Sequence, residues 1–126
     1  MTGLKHAVDD LFDPRIPVEE AFGRHFSADF RQRVNGAGWI DRDGFLAGIA
    51  AARETADHVI VTVLDELADG DRYAERHRIE LIRRDGGRAV QEVYVFAQRD
   101  ADGRFTRIDE ASLAVDAAGG QAATMA

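Results

Sequence analysis

The chain has no cysteine among its 126 residues. Disulfides and thiolate chemistry are therefore excluded, and a cytoplasmic setting is permitted. No apolar run comes near the roughly 20 residues that a membrane-spanning helix requires. The first residues do not read as a signal peptide either, so a cytoplasmic protein is expected. His6, His25, His58 and His77 lie far apart and show no H-x-x-x-H or comparable ligand spacing, so no metal site is expected. Gly36-Ala37-Gly38 has no Lys-Ser/Thr after it and lacks the strand-to-helix dinucleotide fingerprint. It reads as a turn, and no cofactor is expected. With 23 acidic against 16 basic residues, the net charge of −7 argues against a nucleic-acid backbone or an anionic membrane as partner.

What is present is ordinary for a soluble globular protein: 45% apolar and 31% charged residues. A chain of this length can bury about two-thirds of its unfolded surface as one domain. No repeat or linker divides it. The expectation is a single domain over residues 1–115, with a frayed tail at 116–126 where Ala, Gly, Gln and Thr collect.

The chain opens with helical periodicity. Leu4, Val8, Leu11 and Phe12 form one stripe over residues 4–13, and Asp13-Pro14 ends it because the residue before proline avoids the helical region. A second helix is expected from Pro17, with Val18, Phe22 and Phe26 turned inward and Glu19 and Glu20 near its N-terminus. Residues 30–34 read as a short strand. Asp41 is a good N-cap for a third helix patterned by Phe45, Leu46, Ile49, Ala52 and Arg53. A strand over residues 57–67 and a turn at 68–71 follow.

Residues 71–115 then read as three long strands rich in Val, Ile, Tyr and Phe. Gly86-Gly87 and Asp102-Gly103 are hairpin signals, since both centres of a primed two-residue turn need positive φ. If Gly86-Gly87 is the turn centre, Ile82 faces Gln91, Glu80 faces Val93 and Arg78 faces Val95. If residues 100–103 form the second loop, Val95 faces Ile108, Val93 faces Glu110 and Gln91 faces Ser112. Alternation then puts Arg76, Arg78, Glu80, Ile82, Gln91, Val93, Val95, Ile108, Glu110 and Ser112 on one face. His77, Ile79, Leu81, Tyr94, Phe96, Phe105, Asp109, Ala111 and Leu113 fall on the other. A bulge in either hairpin exchanges the sets beyond it. Neither face is purely apolar, which suits a sheet covered by helices on one side and by a partner chain on the other. The order α-α-β-α-β-β-β-β predicts an α+β fold, with helices packed on one face of a curved antiparallel sheet.

This element order, residues 26–36 before the third helix, and Asp102-Gly103-Arg104-Phe105-Thr106-Arg107-Ile108-Asp109-Glu110 in the last strand resemble the NTF2-like superfamily. That group includes SnoaL-like polyketide cyclases and ketosteroid-isomerase-like proteins, and the resemblance covers roughly residues 4 to 115. It implies a cone holding a small organic molecule in its pocket, often in a homodimer. The steroid-isomerase apparatus is not matched. The strand before the third helix carries no acid, the first helix carries no tyrosine, and Val95 stands where that group has an aspartate.

Limonene-type epoxide hydrolases of the same superfamily fit better. They use an Arg-x-Asp pair on one strand and an aspartate on the last, and Arg78-Ile79-Glu80 with Glu110 resembles that set. The resemblance implies Glu110, Glu80 and Arg78 as catalytic residues, one carboxylate activating water and the other protonating a leaving oxygen. Gln32, Val93, Val95, Ile108 and Ser112 would line the ligand, with Trp39 at the mouth or merely packed. Isomerisation, cyclisation and epoxide hydrolysis are all open. The alternative is a non-catalytic ligand-binding or dimerisation module, in which the charges of this face are cross-strand ion pairs in water. A swapped register would instead bring His77, Tyr94 and Asp109 together.

Overall fold

A computed structural model of the chain describes residues 3–115; the tail expected at 116–126 lies outside the described residues. The elements run α1 (Leu4–Leu11), α2 (Val18–His25), β1 (Phe26–Val34), β2 (Ile40–Asp41), α3 (Arg42–Thr55), β3 (Ala56–Asp69), β4 (Arg72–Arg83), β5 (Arg88–Arg99) and β6 (Phe105–Val115). The expected order holds with one addition, the two-residue β2, which pairs with β1 at Arg31 and Gln32. Among the described residues no helix is long and apolar enough to cross a membrane.

The six strands form one sheet in the order β2-β1-β6-β5-β4-β3. Strands β3 to β6 are the expected antiparallel meander. Strand β1 runs parallel to β6, so the sheet is mixed rather than wholly antiparallel. The parallel pairing becomes possible because α3 and four strands, β2 to β5, intervene in sequence and bring β6 back beside β1. The α2–β1 junction also differs from the expected one. Phe26 opens the strand instead of ending the helix, because it is paired with Phe105 and packed against Phe30.

Both late hairpins turn through three residues rather than two. In the first, Arg83 N–H donates to Gly87 O at 2.8 Å and Gly86 N–H to Arg83 O at 3.0 Å. Gly86 sits at φ 90°, and Asp85 Oδ1 accepts from Gly87 N–H at 2.7 Å. This is a turn closed by a glycine bulge. It sets Ile82 opposite Arg88, Arg78 opposite Glu92 and His77 opposite Val93. The expected pairing of Ile82 with Gln91 is therefore corrected by three residues, an odd number, and every β4 side chain changes face relative to β5. The second hairpin repeats the device with Gly103 at φ 82° and Asp100 closing the loop. There Val95 faces Glu110 and Val93 faces Ser112. That is a shift of two, so the faces of β5 and β6 stand as expected.

The helices cover one face of the sheet. Phe22, Phe26, Phe30, Phe45 and Phe105 are buried there, with neighbouring ring centroids as close as 4.8 Å for Phe26–Phe30 and 5.0 Å for Phe30–Phe45. Such tilted and edge contacts add to the gain from burial alone. Asp41 caps α3 as expected, accepting from Gly44 N–H at 2.9 Å. Arg53, near the end of α3, donates to Leu11 O at 2.6 Å and Ile16 O at 2.8 Å. It thereby satisfies carbonyls at and beyond the end of α1. Phe30 touches both α3 and the β1 neighbours and is fully buried. Phe30→Ala is expected to cost about 3–5 kcal/mol in a denaturant titration; a loss under about 1 kcal/mol would show that the ring cluster is not the centre of the core.

Candidate functional site

A cavity of about 210 Å³ lies between the helices and the sheet. Leu4, Val8, Leu11 and Phe12 wall it from α1 and the residue after it, and Phe45 and Ile49 from α3. The sheet contributes Phe26, Gln32, His77, Ile79, Gln91, Val93, Ile108 and Glu110. Only Gln32, His77, Gln91 and Glu110 break an otherwise apolar lining. The strands explain the set: Val34 is paired with Glu110, Gln32 with Ile108, and His77 with Val93, so β1, β6, β5 and β4 each turn alternate residues inward.

Of the residues singled out in the sequence, Glu110, Gln32, Val93 and Ile108 meet at this cavity. Val95 shares their face but is buried in the core beyond the cavity. Ser112 stands opposite Val93 and gives its backbone N–H to Asn35 Oδ1 at 2.8 Å. Arg78 and Glu80 are not neighbours of Glu110. The odd register shift puts them on the outer face, where Glu80 Oε1 accepts from Arg88 Nη2 at 2.5 Å and Arg78 faces Glu92. Trp39 is packed outside, with the guanidinium carbons of Arg31 and Arg33 each 5.0 Å from its ring centroid and Arg107 at 5.7 Å. His77, Tyr94 and Asp109 do not assemble either. Tyr94 donates to Glu92 and Asp109 accepts from Arg33, both on the outer face.

What the register brings inward instead is Tyr73-x-Glu75-x-His77. All three are buried. His77 Nδ1 meets Glu75 Oε2 at 2.5 Å, and Glu75 Oε1 meets the Tyr73 hydroxyl at 2.8 Å. The Tyr73 oxygen also contacts Glu66 and accepts from Leu4 N–H at 3.3 Å. The alternation of Tyr, Glu, His and then Ile79 was visible in the sequence. It carried no direction until the turn at Gly86 was known.

The electrostatics follow from burial. Withdrawal from water pushes the Glu110 carboxyl above the usual carboxylate range. The hydrogen bond from Gln32 Nε2 to Glu110 Oε1, at 2.6 Å, and the nearby His77 imidazole pull it part of the way back. Burial, followed by the two carboxyl neighbours, raises the Tyr73 phenol strongly, so it stays protonated. On the outer face Arg33 holds Asp109 below its ordinary value. Since Nδ1 of His77 is turned to a carboxylate, it carries the hydrogen, and Nε2 is the nitrogen left for the cavity. The site thus offers a carboxyl inclined to keep its proton and an imidazole whose Nδ1 is engaged by Glu75.

The raised Glu110 value fixes a sign. The folded chain binds this proton more tightly than the unfolded chain does. The resulting stability is fully present below the unfolded value, about 4.3, and is lost as pH rises through the folded one. Glu110→Gln is expected to flatten that part of the stability–pH curve in urea titrations across this window. A wild-type curve and a variant curve that run parallel would contradict the burial of this carboxyl.

No family model matches the sequence, and no curated protein does. Solved structures do match. An epoxide hydrolase from M. tuberculosis, of the LEH-like type, superposes with a TM-score of 0.69 at 15% identity, over 86% of this chain and 78% of that one. A putative SnoaL-like polyketide cyclase from Jannaschia sp. CCS1 gives 0.68 at 12% identity, over 86% and 81%. An NTF2-like protein of unknown function from Exiguobacterium sp. 255-15 gives 0.65 at 22% identity, over 91% and 99%. At these identities the likeness is one of fold. Three helices on one face of a curved six-stranded sheet, matched over most of its length by these structures, give the chain the NTF2-like α+β cone.

Proposed function

We propose that this chain binds a small, largely apolar organic molecule in the cavity under α1 and α3 and transfers a proton on it. Glu110 and His77 serve as the acid and the base. One observation carries the reading: a carboxyl and an imidazole line the same apolar cavity, each held by its own partner, Gln32 or Glu75. A protonated Glu110 gives its hydrogen to an oxygen of the bound molecule, and Nε2 of His77 takes one from a neighbouring atom. A carboxyl acid and an imidazole base facing one apolar cavity suit isomerisation or cyclisation. Water addition through Arg78, Glu80 and Glu110 is not our reading, because Arg78 and Glu80 stand on the outer face. The volume, about 210 Å³, is below the ~300–1,000 Å³ of drug-sized sites and favours a small ligand. The cyclase and epoxide-hydrolase names of similar structures are consistent with oxygen-bearing organic ligands, at the level of fold alone.

The apolar lining favours a second reading, binding without turnover. A panel of small cyclic ketones, enones and hydroxy acids separates the two. Glu110→Gln and His77→Gln are each expected to lower kcat by about 100-fold or more with an unchanged circular-dichroism spectrum. Ligand binding without turnover in the wild type would leave the binding module, and no binding at all would remove both readings.

We also propose a homodimer through the outer sheet face. Leu67, Phe96, Tyr94, Leu113 and Ile60 are exposed there, Phe96 by 76% and Leu67 by 73%. Their strands pair so that Leu67, Ala74 and Phe96 lie side by side. A second copy of the same face covers such a patch symmetrically. Phe96→Glu is expected to convert a dimer into a monomer in light scattering. A wild type that is monomeric at high concentration overturns the proposal.

A further inference from the structure

The polar residues behind His77 form a continuous chain that ends in water. His77 Nδ1 lies 2.5 Å from Glu75 Oε2, Glu75 Oε1 lies 2.8 Å from the Tyr73 hydroxyl, and that hydroxyl contacts Glu66 Oε2. His77, Glu75 and Tyr73 are buried to within 3% of full exclusion, whereas Glu66 on β3 is exposed. Gly3 closes over the outer end of this chain. A β-carbon placed there would stand 2.3 Å from Glu66 Oε2 and 2.6 Å from the Tyr73 oxygen, so a glycine is what leaves the two in contact.

Counting hydrogens shows what the chain requires. Three contacts link its four groups, and each needs one hydrogen. Tyr73 supplies one and the His77 ring supplies one at Nδ1. If Glu66 and Glu75 were both ionised, one of the two oxygen–oxygen contacts would hold no hydrogen, with a phenol oxygen pressed against a carboxylate. The third hydrogen must sit on a carboxyl. Among the described residues, the contacts of the other groups facing the chain place no hydrogen between these oxygens. Leu4 N–H donates to the Tyr73 oxygen from α1, the Arg99 guanidinium on β5 lies over the Tyr73 ring with its carbon 4.7 Å from the centroid, and Asp65 and Arg76 border Glu66 and Glu75 at the surface. On the cavity side, Glu110 of β6 is engaged by Gln32.

We propose that Glu75, Tyr73 and Glu66 are a proton conduit joining the His77 imidazole in the cavity wall to solvent beyond β3. This rests on the reading of His77 as an acid–base group. The step balances without a co-reactant. A proton taken up at Nε2 of His77 is matched by loss of the Nδ1 hydrogen to Glu75 Oε2. Glu75 passes the hydrogen on its other oxygen to Tyr73, and Tyr73 gives its own to Glu66. Glu66 releases one to water. One proton leaves the cavity and one reaches solvent, which leaves His77 neutral with its hydrogen on Nε2. When Nε2 gives that hydrogen to the product, the relay runs backward and a proton from solvent returns the Nδ1 hydrogen. The conduit keeps His77 neutral during turnover by exchanging protons with solvent on the far side of β4 and β3, away from the apolar cavity.

The test uses ligand-free protein and histidine NMR with ring-nitrogen labelling, reading the exchange of the His77 Nδ1 hydrogen with solvent. Tyr73→Phe keeps the ring and the Glu75–His77 contact but breaks the chain, and Glu66→Gln keeps an exposed polar side chain but removes its ionisation. Both are expected to slow exchange by about tenfold or more, since proton transfer by a positioned group accounts for at least that much. Exchange that is unchanged or faster in the folded variants overturns the conduit. If Tyr73→Phe does not fold, Glu66→Gln alone decides. Slowed exchange in a protein that turns over nothing removes the enzyme and leaves the conduit. Unchanged exchange, with turnover lost in Glu110→Gln, does the reverse.

Discussion

The conformation of Gly86 sets the register of β4 on β5, and most of the site depends on that register. With φ at 90°, Gly86 closes a three-residue turn against Arg83, and β4 returns with His77 opposite Val93. Side chains on a strand alternate strictly, so this single setting decides which half of β4 meets the helices and which half meets the surface. It sends Tyr73, Glu75, His77 and Ile79 inward and Arg76, Arg78 and Glu80 outward. A residue with a β-carbon is strained in that region of backbone space, and a slip of one residue would put three charged groups under α1.

Burying so many polar groups in a domain of this size is costly unless each finds a partner. The protein answers with linked pairs rather than isolated ones. Gln32 stands behind Glu110, Glu75 behind His77, and Tyr73 with Glu66 behind Glu75. These partners come from β1, β6, β4 and β3, so the network is held by the sheet and not by a loop. The helices contribute mainly apolar walls, together with the Leu4 backbone N–H. The result is a polar floor under an apolar roof, the arrangement in which burial favours the protonated form of the Glu110 carboxyl.

The outer face follows different rules. Its charges form short cross-strand pairs such as Glu80–Arg88 and Asp109–Arg33, partly open to water. Contacts of that kind contribute little to stability and set few constraints. Between them lie Phe96, Leu67 and Tyr94, which no helix covers. The two faces of one sheet thus differ in kind, with a buried polar network and cavity inside and open ion pairs with exposed apolar side chains outside. Trp39, wrapped by three arginines at the β1–β2 edge, belongs to the outer set.

By itself the sequence determined the element order, the helix stripes, the Asp41 cap, and the positions of both late turns. It also determined that Glu110, Val93 and Ile108 share a face with each other. These follow from local periodicity and from the backbone needs of glycine, aspartate and proline, which do not require knowledge of distant contacts. The face shared by β4 and β5 was decided only in the tertiary structure. Gly86-Gly87 is compatible with a two-residue turn and with a three-residue turn ending in a bulge, and the choice inverts every side chain beyond it. The apolar demand of the helices selects the second, because it buries Tyr73, packs Ile79 against the core and leaves Arg76 exposed. The same demand drew Phe26 out of its helix into β1, where Phe105 and Phe30 complete its packing. Gln32 beside Glu110, and His77 across from both, are consequences of strand order, with β1 parallel to β6, and strand order is a property of the whole chain.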